Sequence, residues 1–132
     1  MLKNKMSESI HLKLYYKIFK LIKYLFGVVK NFPKEHKYSL GKEILNLSWS
    51  CIDLVIGINN LEKKNRYLEI NKLSIAFDCL KIRIRLAQEI NLISERQFCH
   101  IQTYYIKEIG EMIGGWLKWS KTSSCNYNEW DF

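Results

Sequence analysis

The chain reads as an all-α protein, an up-down-up-down four-helix bundle, and three observations predict it. Apolar residues recur at three- and four-residue steps through four long segments, the pattern of helices that each bury one face. No segment alternates apolar and polar residues with the two-residue period of a half-buried strand. Only one proline, Pro33, occurs in 132 residues, and the polar stretches between the periodic segments are short, as antiparallel neighbours require. With 48% hydrophobic residues, a chain of this length shares a single core, so one bundle domain is expected over residues 1–121.

The first helix is expected over about residues 8–31. Tyr15, Ile18, Phe19, Ile22, Leu25, Phe26 and Val29 follow the helical step, and Leu14, Leu21 and Val28 widen the apolar arc beyond what one contact needs. Phe32 and Leu40 can anchor the connector on the core, Pro33 stops the first helix, and Ser39 is the natural N-cap of the second. In that second helix Leu40, Ile44, Leu47, Cys51, Leu54 and Ile58 make the core stripe, and Asn59-Asn60 closes it. Leu45, Trp49, Ile52 and Ile56 form a further stripe, apolar surface left over for an oligomer interface.

A third helix is expected from about Asn65 to Ile90, with Leu73, Phe77, Leu80, Ile84 and Ala87 inward. Ser94-Glu95-Arg96-Gln97 has the spacing of a capping box and starts the fourth. There Phe98, Ile101, Tyr105, Ile109, Met112, Trp116 and Trp119 keep the helical period, which is lost near Lys121. Gly110 and Gly114 lie four apart on one side, and because each costs roughly 1 kcal/mol in a helix interior, close backbone approach is expected there. Residues 122–132, rich in Ser and Asn with scattered aromatics, are expected to form a flexible tail.

Charge is the second source of information. The net charge of +8 is uneven: Met1 to Phe32 carries seven lysines against Glu8 alone. Lys13, Lys17, Lys20, Lys23 and Lys30 cluster on one arc of the first helix over ~25 Å at 1.5 Å per residue, long enough to follow several phosphates. Lys81, Arg83 and Arg85 form a second basic group, in which Lys81 and Arg85 share a face and Arg83 points elsewhere. Both groups read either as nucleic-acid contacts through phosphates or as solvated faces whose lysine stems cover apolar surface. Tyr15, Tyr16, Tyr24, Tyr38, Tyr104 and Tyr105 could stack on unpaired bases, although aromatics at helical spacing more often belong to cores.

Other chemistries find little support. Cys51, Cys79, Cys99 and Cys125 lack paired or C-x-x-C spacing, and no secretory pattern opens the sequence, so a reduced, cytoplasmic protein is expected. Cys99 and His100 are adjacent and point about 100° apart on a helix, which suits no shared metal. No phosphate loop, Glu-x-x-His pair or placed cysteine nucleophile is present, so no enzyme, metal or cofactor is expected. Lysines interrupt the most apolar region, leaving no run of ~20 apolar residues that could cross a bilayer.

The segments Phe32-Pro33-Lys34, Tyr38-Ser39-Leu40-Gly41, Arg85-Leu86-Ala87, Leu92-Ile93-Ser94-Glu95 and Gly114-Gly115-Trp116-Leu117-Lys118 resemble the accessory variability determinant (Avd) family of bacterial diversity-generating retroelements. A sister family of four-helix proteins, encoded in ribosomal-RNA intervening sequences, shares the Phe-Pro entry. It continues with Ser-Ile-x-x-Asn-Ile-Ala-Glu-Gly, where this chain has Ser50-Cys51-Ile52-Asp53-Leu54-Val55-Ile56-Gly57, and the departure favours Avd. The resemblance implies a non-enzymatic bundle that forms a ring-like homo-oligomer, a pentamer, and binds the retroelement reverse transcriptase together with RNA or DNA during mutagenic retrohoming. The alternative is a bundle adaptor of the intervening-sequence type that binds protein only.

Overall fold

The computed structural model describes the backbone of residues 2–128 and the side chains of residues 11–121. It contains helices α1 (Leu2–Lys30), α2 (Lys34–Lys37), α3 (Leu40–Asn59), α4 (Arg66–Glu89), α5 (Glu95–Ile101) and α6 (Lys107–Asn128), and no strand among the described residues. A single π-helical turn, Gln102–Ile106, fuses α5 and α6 into one rod, and a short 3₁₀ turn, Lys63–Asn65, precedes α4. Four rods therefore pack in cyclic order: α1 on α3, α3 on α4, α4 on α6, and α6 back on α1. Cross-links fix their antiparallel sense. Lys17 of α1 pairs with Glu108, His11 lies beside Trp116, and Glu43 of α3 meets Arg83 of α4 at 3.5 Å.

The core is largely aliphatic, with Phe77 inside it and Trp116 at its end. Leu14, Ile18, Leu21, Ile22 and Leu25 of α1 face Ile44, Cys51, Val55 and Ile58 of α3, Ile70, Leu73, Phe77, Leu80 and Ile84 of α4, and Ile109, Ile113 and Trp116 of α6. Trp116 is fully buried. Tyr15, Phe19 and Phe26, although on the helical step, are left outside. The excess apolar arc of α1 is thus split between core and surface.

The connectors obey local rules, with one exchange of roles. Phe32 and Leu40 are buried on either side of α2, and Pro33 opens that helix, its carbonyl accepting from His36 and Lys37 N–H at 2.9 and 2.8 Å. Ser39 does not cap α3 through its side chain, contrary to the sequence expectation. Its Oγ instead donates backward to the Glu35 carbonyl at 2.8 Å, because a one-turn helix ending just before it offers unsatisfied carbonyls at bonding distance. The Ser94–Gln97 capping box forms as its spacing predicts, with both bonds at 3.1 Å. Before it, Asn91 takes φ 65°, and Leu92 N–H bonds the Ala87 carbonyl at 2.8 Å, a Schellman ending in which Asn replaces the usual glycine.

Glycine is required at a position other than the two expected. A Cβ on Gly114 would meet nothing within 4 Å, and one on Gly110 only Phe77 at an ordinary 3.8 Å, so α6 makes no close backbone approach there. Gly41 is the tight position: a Cβ would lie 2.7 Å from Val29 Cγ1 and 3.3 Å from both Phe32 and the His36 carbonyl. Gly41→Ala is therefore expected to destabilise the fold by about 1–3 kcal/mol through overpacking, read from the midpoint of urea unfolding. Gly114→Ala, with open space around it, is expected to be neutral or stabilising.

The helical backbone of α6 continues to Asn128, beyond the Lys121 boundary where apolar periodicity stops. No proline or glycine follows Lys121 to end the helix where the apolar period is lost. The rest of the expected tail, residues 129–132, lies outside the described residues.

His11 gives the bundle a titratable joint. Its ring sits 6.5 Å from that of Trp116, and neither His11 Nδ1 nor Trp116 Nε1 has a hydrogen-bond partner among the described residues. Burial, and secondarily the Arg66 charge, hold the His11 pKa below its ordinary 6.5. Since the unfolded chain takes up this proton first, stability is expected to fall as pH drops below about 6.5, until the folded form also protonates. Unfolding midpoints measured from pH 8 to 5 should show the decline, and His11→Gln should remove that part of it.

Candidate nucleic-acid interface

Helix α1 presents its lysines outward because the opposite arc carries the core residues Leu14, Ile18, Leu21 and Leu25. Lys13, Lys20, Lys23 and Lys30 are exposed. Lys13, Lys23 and Lys30 have no ion pair or ring contact among the described residues, while Lys20 Nζ lies 4.6 Å from the centre of the Tyr16 ring. Lys17 is drawn inward, paired with Glu108 and 5.9 Å from the centre of Tyr105. Four of the five expected lysines therefore remain available to a polyanion.

The second basic group is placed differently. Lys81 pairs with Asp78 at 3.0 Å, Arg83 with Glu43 at 3.5 Å, and Arg85 with Glu89 at 3.7 Å. Arg83 also donates to the Cys79 carbonyl at 3.3 Å. All three cations sit on α4, diagonal to α1, and each has a carboxylate beside it. The structure does not bring them together with the first-helix lysines. Asp78 and Glu89 are three and four residues from their partners, a helical spacing that makes this pairing readable in the sequence.

The expected interface stripe divides in the same way. Trp49 and Ile56 are 41% and 46% exposed, and Leu45 is half-buried, but Ile52 is only 3% exposed and belongs to the intramolecular core. Trp49 meets the exposed Phe26 edge-on, with ring centres 6.3 Å apart. Together with Leu45 and Tyr38 they line an open apolar groove between α1 and α3, rimmed by Lys30, Lys37 and Lys42. A second apolar face escaped the sequence reading. Leu68, Ile75 and Ile82 of α4 are exposed, joined by Leu86, and their seven- and four-residue spacing was the available signal.

The π turn regroups the aromatics. Ile101 and Ile106, five residues apart, are both buried, which an uninterrupted α-helix would not allow. The inserted residue rotates Tyr105 out of the core position that a regular period predicts and sets it beside Tyr24, ring centres 5.7 Å apart. His100 stacks on Tyr24 at 4.7 Å and lies 4.7 Å from Tyr104.

Among the described residues, neither cysteine nor carboxylate chemistry gathers into a centre. Burial, with a smaller contribution from Cys79, pushes the Cys51 thiol up to about 12, so it is an inert core group. Among the described residues, no three metal-ligating side chains cluster, and no helix is long and apolar enough to cross a membrane.

These features define a class: an all-α protein of four packed rods with an open lysine row on one helix and apolar faces left without partners. The chain belongs to the bAvd-like family, whose model matches residues 12–120. This agrees with the Avd-type resemblance carried by its connector and last-helix segments. No curated protein and no solved structure matches the chain.

Proposed function

We propose that this protein is a non-enzymatic accessory protein of a diversity-generating retroelement, which binds the reverse transcriptase and holds RNA or complementary DNA during mutagenic retrohoming. Family membership supplies the accessory role. The observation that carries the nucleic-acid part is the row Lys13, Lys20, Lys23 and Lys30 on the outer face of α1, exposed and without a carboxylate partner among the described residues. Such a row suits phosphates and offers no base-reading geometry, so sequence preference is weak.

The working form is a homo-oligomeric ring, a pentamer by family likeness. A closed ring needs two different patches per protomer that meet heterologously. The Phe26–Trp49–Ile56 surface over α1 and α3 and the Leu68–Ile75–Ile82 stripe of α4 support such a pairing.

Binding of a labelled RNA, measured by anisotropy over a range of salt, tests the nucleic-acid part. Affinity is expected to fall linearly on log–log axes, with a slope of roughly −0.7 per neutralised phosphate on single strands and −0.9 on duplex DNA. Salt-insensitive binding, or none at low salt, would instead favour an adaptor that binds protein only.

A further inference from the structure

We propose that the ring cluster at the π turn is a stacking platform for unpaired bases, so that this bundle prefers single-stranded over duplex nucleic acid; the inference rests on the nucleic-acid reading above. Two of its rings have a packing role. Tyr24 and Tyr105 are half-buried between α1 and the fourth rod and lie against the core. His100, half-buried and edge-on to Tyr105, stacks on Tyr24 at 4.7 Å, and Tyr104 follows it at 4.7 Å with its ring tilted by 43° and, at 57% exposure, opens to solvent. A stack ending in an accessible ring has the geometry on which a further π-face can be added.

The surroundings select the kind of π-face. Lys17, already paired with Glu108, reaches the cluster at Tyr105, and the exposed Lys13, Lys20 and Lys23 supply the positive row along the same helix, Lys20 one turn before Tyr24. Glu108, the carboxylate beside Tyr105, is neutralised by Lys17. A cationic track next to an open aromatic ladder is what sequence-tolerant single-strand binders use, because the backbone follows the charge while bases stack on the rings. Bases of a duplex are already stacked and cannot reach the ladder, so duplex would engage only the lysines. The π turn is what builds the site: without its extra residue Tyr105 would turn into the core and the fourth rod's rings would not line up with Tyr24.

The test compares the full chain with Tyr104→Ala, Tyr104→Phe and His100→Ala, each titrated against a labelled oligouridine and a duplex of equal length. Tyr104→Ala is expected to weaken oligouridine binding by about 5- to 160-fold, the range one stacked base supplies, and to leave duplex affinity within about 2-fold. Tyr104→Phe should restore single-strand binding, because stacking needs the ring and not the hydroxyl. His100→Ala should weaken single-strand binding in the same direction, with an unchanged far-UV spectrum confirming the fold of each variant. Equal losses on both substrates, or no loss on either, would overturn the platform while leaving the lysine row as the nucleic-acid surface. Failure of the unsubstituted chain to bind either substrate would overturn both readings.

Discussion

Replacing Lys13, Lys20, Lys23 and Lys30 together with glutamine is expected to lower duplex DNA affinity by as much as ~3.6 decades at 0.1 M salt and to flatten the log–log salt slope by as much as ~3.6, if each lysine neutralises one phosphate. The fold should be unaffected, since all four side chains are exposed and glutamine is nearly as good a helix former as lysine. Lys17 is left out because removing it would strand Glu108. The matching control is Lys81→Gln, Arg83→Gln and Arg85→Gln. Each of these cations is already compensated by Asp78, Glu43 or Glu89, so the triple substitution should change the slope little. A reversed outcome, with α4 carrying the salt dependence, would relocate the interface.

Trp49→Glu is expected to break the assembly. A tryptophan at the centre of an interface commonly contributes 2 kcal/mol or more, and a carboxylate in its place leaves a desolvated charge, so the dissociation constant should rise by about 30- to 1000-fold per interface. Light scattering after size exclusion should show a single multiple of the chain mass for the native protein and smaller species for the variant, with helicity retained because Trp49 is 41% exposed in the single chain. Ile52→Ala separates the two parts of the original stripe. With Ile52 at 3% exposure, it should cost about 2–5 kcal/mol of fold stability and leave the oligomer number of the folded protein unchanged.

What the sequence made legible follows from the range over which each signal acts. The four rods, the buried Phe32 and Leu40 anchors and the Ser94–Gln97 cap depend on residues within one or two turns of each other, and all are present. Ser39 sits at the N-cap of α3 but turns its hydroxyl away from it, because N-capping competes with the free carbonyls of a helix too short to show periodicity. Ile52 lies near the boundary between the two faces of α3, and only the position of α1 and α4 decides which side it joins. The π turn adds one residue to a register that a 3.6-residue template assumes unbroken, so the helical period alone gives no sign that Tyr105 meets Tyr24 and His100. The exposed Leu68–Ile75–Ile82 stripe was legible in principle, since its spacing is helical.

The central claim is that this bundle serves a retroelement reverse transcriptase, and co-purification tests it most directly. The native chain, co-expressed with the reverse transcriptase of a diversity-generating retroelement from its own genome, is expected to retain that enzyme through affinity capture and nuclease treatment and to elute with it as one complex. Loss of the enzyme on nuclease treatment would reduce the association to shared nucleic acid, and absence of the enzyme before nuclease would contradict the account.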